Sequence, residues 1–177
     1  MLIGTLDALL VFLAGRKGRS GYDIRQLFQS TPLGQFSDSP GSIYPSLARL
    51  EARGLLKSAV AEGGRRRRSY RHTPAGEKAL RAWLGAPIAT DDVKRRPGEI
   101  ELRFVMTAEA AGWSPAMEFA GRAEAAFTAH LGELEGFLAG PGATMSRASR
   151  AAMDLGIRVC RARIQWCRDL RSSRGKP

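Results

Sequence analysis

The stretch Ser39-Pro40-Gly41-Ser42-Ile43-Tyr44-Pro45-Ser46-Leu47, carried on by Arg49-Leu50-Glu51 and closed by Gly54-Leu55, decides how this chain folds. Serine ahead of proline marks a helix start, because the hydroxyl can accept from an early amide and proline has no amide to leave unsatisfied. Gly54 supplies a stop. Between these limits Ile43, Leu47 and Leu50 recur at i, i+4 and i+7 and predict one apolar stripe. The opposite side then presents Ser42, Pro45, Ser46, Arg49 and Arg53. A core stripe backed by a polar, basic outer face is what a groove-reading helix needs.

Working towards the N-terminus, Ser20 stands three residues before Asp23, which suits a helix cap and places a negative charge at the positive end of the dipole. Ile24, Leu27 and Phe28 give that helix a buried face. Ahead of it, Leu2, Leu6, Leu9, Leu10 and Leu13 predict a first helix ending before a basic loop from Gly15 to Arg19. Towards the C-terminus, Leu55 to Ala61 and Ser69 to Thr73 read as the strands of a hairpin whose tip holds Glu62, Gly63, Gly64 and the run Arg65 to Arg68. Thr73-Pro74 repeats the cap-and-proline signature, and Ala79, Leu80, Trp83 and Leu84 line a fourth helix. Helix, helix, helix, hairpin, helix is the order of a winged helix-turn-helix, expected over residues 1–86. The fold class is mainly α with a small β-hairpin wing.

Residues 87–98, charged and bounded by Pro87 and Pro97, are expected to be a linker to a helical dimerisation region over residues 99–171, with a disordered tail at 172–177. Ser114 and Pro115 start a long helix with Phe119, Ala123, Phe127, Leu131, Leu134 and Leu138 on one face, broken by Gly140 to Gly142. A further helix from about Met145 to Leu170 carries Met153, Ile157, Cys160, Ile164 and Cys167 in steps of four and three, widened by Leu155, Val159, Trp166 and Leu170. That stripe is broader than a two-helix hairpin covers, so burial between two chains is expected, with Phe127, Leu131, Leu134, Met153, Ile157, Cys160, Ile164 and Cys167 in the contact. Residues 99–135 hold 7 acids and 2 bases, and residues 140–177 hold 9 bases and 2 acids. These helices can pair within a chain or across a dimer.

The 177 residues are 44% hydrophobic and 25% charged, a globular composition. The net charge of +11 is uneven: residues 1–86 hold 14 Lys or Arg against 6 Asp or Glu, a net of +8, while residues 87–177 hold 14 against 11, a net of +3. Such a balance points to a polyanion, either nucleic acid or an anionic membrane face. The apolar run Met1 to Ala14 contains Asp7, lacks a basic leader and is shorter than the roughly 20 residues of a membrane span. Cys160 and Cys167 lie about 10 Å apart along a helix, too far for a disulfide. With His72 and His130 they make no zinc set. A reduced, cytoplasmic protein without metal or cofactor is expected. An enzyme would need a nucleophile with its base, a carboxylate pair in a cleft or a phosphate loop, and Gly63-Gly64 lacks the strand-to-helix setting of the last.

The stretch from Ser39 to Leu55, together with Gly21-Tyr22-Asp23-Ile24 before it and Tyr70-Arg71 and Thr73-Pro74-Ala75-Gly76 after it, closely resembles the signature of PadR-like transcriptional regulators. The resemblance covers the first 84 residues in order and spacing. It implies a winged-helix DNA-binding domain joined to a helical dimerisation region, in a homodimeric repressor relieved by an inducer or partner. Ser20 stands where many relatives carry histidine, and the four-arginine wing is unusually dense. In the C-terminal half the likeness is one of architecture, with no motif that names a small-molecule inducer.

With the third helix in a major groove, Ser42, Pro45, Ser46 and Arg49 face base edges and phosphates of double-stranded DNA, and a dimer presents two such helices to a pseudo-palindromic operator. Arg49 is the foremost candidate, with an ordinary solvated arginine as the alternative. Ser39 caps its helix and sits where phosphates bind. Tyr44 either reaches a phosphate or belongs to the core, and the same choice holds for Tyr22. Arg65, Arg66, Arg67 and Arg68 belong on the backbone or in a minor groove, with Lys17 and Arg19 as further phosphate contacts. Trp113, Trp166 and Phe127 either line an inducer pocket between the two regions or are core. The two cysteines are small apolar residues of a seam, or redox sensors. A winged helix can also serve protein or RNA contact without reading duplex sequence.

Overall fold

The computed structural model describes residues 3–36, 39–60 and 68–172, and the chain divides into two compact units, Met1–Ala86 and Pro87–Pro177. In the first, α1 (Thr5–Ala14) is the central helix. Ala8, Leu9, Leu10, Val11, Leu13 and Ala14 are all buried because α2 (Gly21–Ser30), α3 (Pro40–Ala52) and α4 (Pro74–Gly85) surround it. The caps form where the serines and threonine predict them. Ser20 Oγ accepts from Asp23 N at 3.1 Å, Ser39 Oγ from Gly41 N at 3.2 Å, and Thr73 Oγ1 from Gly76 N at 3.1 Å. Each gives an orphan amide of a first turn its partner.

The hairpin is β2 (Leu56–Val60) against β3 (Arg68–His72), antiparallel, with Lys57 opposite Arg71 and Ser58 opposite Tyr70. Where the sequence predicts only a loop and a cap, Arg19–Ser20 adds a two-residue strand, β1, on the other side of β3, so the sheet has three strands in the order β1-β3-β2. Two glycines make this junction possible. Gly18 enters β1 at φ +90°, and Gly76 lies so close to the end of α3 that a Cβ there would stand 2.1 Å from the Leu55 carbonyl oxygen.

The second unit is helical. The segment expected as a linker contains a helix, α5 (Thr90–Arg95), held at its start by an Asp92 carboxylate that accepts from the Ala89 amide at 3.0 Å, and anchored by buried Val93. Its charges had pointed to a linker; a single apolar residue in six is too weak a periodic signal. Next come α6 (Pro97–Ala111), α7 (Trp113–Ala139), a 3₁₀ turn at Pro141–Thr144 and α8 (Arg147–Ser172). Ser172 therefore ends a helix, and the rest of the expected tail, 173–177, lies outside the described residues.

The unit's core gathers Ile100, Phe104, Ala116, Phe119, Ala123, Phe127, Cys160, Ile164 and Cys167. Helices α7 and α8 run antiparallel, as the ion pairs Glu135–Arg161 at 2.7 Å and Glu124–Arg168 at 2.8 Å record. Arg171 reaches Glu124 as well, at 2.7 Å. The complementary helices thus pair within one chain. Of the residues expected between chains, Phe127, Ile157, Cys160, Ile164 and Cys167 are buried in this unit's own interior, while Leu131, Leu134 and Met153 are half-buried.

Candidate nucleic-acid interface

On α3 the predicted stripe is the inner face. Ile43, Leu47 and Leu50 are fully buried, and each such burial stabilises by ~1.5–3 kcal/mol. Because these residues fix the helix's rotation, they also fix which residues look outward: Ser39, Gly41, Tyr44, Pro45, Ala48, Arg49 and Ala52 are exposed. Gly41, Ala48 and Ala52 are absent from the expected outer face. Small residues carry no polar signal, and only the helical phase set by the buried stripe could have found them.

Ser46 is a correction. Expected on the outer face, it is 4% exposed and its hydroxyl accepts from Arg49 Nη2 at 3.0 Å. At 100° per residue, position 46 lies about 40° from 50 and about 60° from 43, at the edge of the buried stripe, so it belongs to the inner side. Ser42 is half-buried, and its hydroxyl donates to the Ser39 carbonyl at 2.9 Å. Tyr44 divides between the two readings. Its ring packs so close to the start of α2 that a Cβ at Gly21 would meet Tyr44 Cε1 at 3.0 Å, yet the residue is 40% exposed. Tyr22 is exposed, and its hydroxyl accepts from Gln26 Nε2 at 2.7 Å.

Arg49 is not a freely solvated arginine. Its Nη2 donates to Asp7 Oδ1 at 2.7 Å, and Arg53 Nη1 donates to Asp7 Oδ2 at 3.3 Å. Asp7, on α1, is 7% exposed. The apolar first helix thus carries one carboxylate, buried where α3 supplies two guanidinium groups.

The wing is tied to the same helix. Glu51 on α3 accepts from Ser58 Oγ at 2.5 Å and pairs with Arg68 at 3.6 Å. Arg68 therefore begins β3 as an exposed side chain with an acidic neighbour, while Arg65, Arg66 and Arg67 lie outside the described residues. Lys17 and Arg19, in the turn into β1, are exposed. Beside the sheet, Arg16, Lys57, Arg71, His72, Thr73, Pro74 and Glu77 line an open cleft of about 210 Å³. Its one carboxylate is occupied: the hydrogen bond from Arg16 holds the Glu77 carboxyl below its usual range, and Arg81 adds to it.

The remaining candidates lie in the second unit. Phe127 is core. Trp166 packs edge-on against Phe104 at 5.1 Å and borders an apolar groove of about 620 Å³ between α6 and α8, with Val105, Val159, Ala162, Glu101 and Arg163. Trp113 also packs edge-on with Phe104, at 6.1 Å, and does not line that groove. Cys160 Sγ donates to the Phe127 carbonyl at 3.2 Å. Burial pushes both thiols up, that of Cys167 to about 11. No helix among the described residues is long and apolar enough to cross a membrane, and none of their His, Cys, Asp or Glu side chains cluster as a metal site would require.

A central α1, a buried-stripe α3 with one face open, and a hairpin anchored to that helix define a winged helix-turn-helix domain. Residues 9–82 match the family described as the transcriptional regulator PadR-like family. Transcriptional regulator Rv3488 of Mycobacterium tuberculosis is 60% identical over 43 residues, which make up 24% of this chain and 40% of that protein. The chain thus spans less than half the length of this relative. Among solved structures, Bacillus subtilis PadR in complex with operator DNA is 23% identical, covering 96% of this chain and 98% of that one at a TM-score of 0.43. The PadR-like transcriptional regulator BC1756 from Bacillus cereus is 21% identical, covering 94% of each chain at 0.40. The family match is confined to residues 9–82.

Proposed function

We propose that this protein is a homodimeric transcriptional repressor that reads a pseudo-palindromic duplex operator and is released by a small molecule. One observation carries the reading: within a PadR-like domain, α3 exposes Gly41, Pro45, Ala48, Arg49 and Ala52 along one side while Ile43, Leu47 and Leu50 on the other are fully buried. Lys17, Arg19, Lys57, Arg68 and Arg71 are exposed in the same unit, and Arg65 to Arg67 precede Arg68 in the sequence. Residue by residue, Pro45, Ala48 and Arg49 meet base edges or sugar, Ser39, Tyr44 and Tyr22 meet phosphates, and the basic residues of the wing and turn supply affinity that falls with salt. No catalytic role is assigned to any residue.

The dimer is assigned to the second unit. With Phe127, Ile157, Cys160, Ile164 and Cys167 buried inside the unit, the exposed large apolar side chains that adjoin one groove are Val105 on α6 and Val159 on α8, with Leu155 one turn before Val159. The adjoining groove is where the inducer is assigned, with Phe104 and Trp166 as aromatic walls.

The test is a fluorescence-anisotropy titration into a duplex selected by the protein from a randomised pool and into a shuffled duplex of equal length, at several salt concentrations. A preference of about a thousandfold with a steep salt slope is expected. Equal, salt-sensitive binding to both would leave a nonspecific binder. Absence of binding to either would favour a winged helix used for protein or RNA contact.

A further inference from the structure

We infer that Asp7 and Ser46 are positioning residues for Arg49: they hold its guanidinium by one nitrogen and leave the rest of it aimed outward for the DNA. The inference rests on the proposed reading of α3 as the helix that enters the groove. Two distances and two burials carry it. Arg49 Nη2 spends both of its hydrogens, one on Asp7 Oδ1 at 2.7 Å and one on Ser46 Oγ at 3.0 Å. Both acceptors are buried, at 7% and 4% exposure. The arginine side chain itself is 52% exposed. A guanidinium has five N–H donors, so three of them, on Nε and Nη1, donate to no described residue.

A buried carboxylate is costly unless it is paired, and Asp7 is paired twice, with Arg49 and with Arg53. What the fold gains from this arrangement, on a helix face where Gly41, Tyr44, Pro45, Ala48 and Ala52 are the exposed neighbours, is one cation whose direction is fixed in advance. An arginine that is ordered before binding loses less freedom when it binds, and its hydrogen bonds discriminate by angle as well as by charge.

The sign of the electrostatics separates this role from a bystander's. Removing the carboxylate of Asp7 makes the domain more positive, so if Asp7 were merely a nearby negative charge, Asp7→Asn would tighten binding to every duplex. A positioning role predicts the reverse for the selected duplex alone. The variants are Asp7→Asn, Ser46→Ala, Arg49→Ala and the double variant Asp7→Asn with Arg49→Ala, each checked for a wild-type thermal melt and titrated into the selected and the shuffled duplex. Arg49→Ala is expected to lose about tenfold or more on the selected duplex. Asp7→Asn and Ser46→Ala should each lose a large part of that factor, the shuffled duplex should bind as well as before or better, and Asp7→Asn should add little in the Arg49→Ala background. Wild-type or tighter binding of Asp7→Asn to the selected duplex overturns the proposal, and so does an equal loss with and without Arg49.

A measurement without DNA keeps the two layers apart. Side-chain nitrogen NMR should show slow exchange for the Nη2 hydrogens of Arg49 in the wild type, and fast exchange in Asp7→Asn and in Ser46→Ala; fast exchange in the wild type overturns the clamp itself. If the clamp is seen but the wild type binds both duplexes equally, the DNA reading of α3 is what fails. Should Asp7→Asn not fold, Ser46→Ala carries both arms.

Discussion

Gly76 shows how a single position can be required by a neighbour's backbone. A methyl group there would lie 2.1 Å from the Leu55 carbonyl oxygen, between the end of α3 and the start of α4. Gly76→Ala is expected to destabilise the first unit by about 3 kcal/mol or more, read as a lowered urea midpoint with the slope preserved. Cys160 and Cys167 make the opposite case, since their burial raises both pKa values and leaves almost no thiolate near neutral pH. Neither is expected to react with an aromatic disulfide reagent in the native protein, and both should react once it is denatured; rapid native reaction would restore the redox reading. Ser46 and Asp7 were the residues the sequence concealed. A serine beside a buried stripe and an aspartate inside an apolar run carry no mark of their partner, because the Asp7–Arg49 pair is made across 42 residues.

Strongly periodic elements were legible and weakly periodic ones were not. The stripe of α3, the caps at Ser20, Ser39 and Thr73, and the two hairpin strands follow from spacing that local physics enforces. Strand β1 has two residues, too few for any alternation, and exists only because β3 lies beside it. Helix α5 likewise depends on burying one valine. Within the sheet, Lys57 and Arg71 stand directly opposite each other, a like-charge pair that opposes folding. Lys57→Glu is therefore expected to raise stability by ~0.2–1 kcal/mol and to weaken duplex binding, with the salt slope smaller by about one. Loss of stability in the denaturation curve, or an unchanged slope, would remove Lys57 from the interface.

The charge asymmetry of the second unit was visible in the sequence, but its meaning was not, because complementary helices satisfy each other equally well within one chain or between two. The structure pairs them within the chain, with Glu124 bound by Arg168 and Arg171. The hydrogen bond from Arg168, followed by that from Arg171, holds the Glu124 carboxyl below its usual 4.5. Its contribution to stability is therefore complete above that value and fades as pH falls through the lowered folded pKa. Melts of the wild type should lose stability on that acid limb, and Glu124→Gln should lose less; identical limbs would show that the pairs are screened by solvent. For assembly, Leu155 is 63% exposed and Val159 40% exposed on the same side of α8. Leu155→Glu with Val159→Glu is expected to sediment as a monomer with an unchanged helical spectrum, whereas a surviving dimer would place the contact elsewhere. The open face of α3 has a thermodynamic consequence of its own. Gly41, Pro45, Ala48 and Ala52 have no side-chain rotors to freeze, and Arg49 is already held, so on the proposed reading docking this surface would forfeit little configurational entropy, and a dimer would be spared that loss twice.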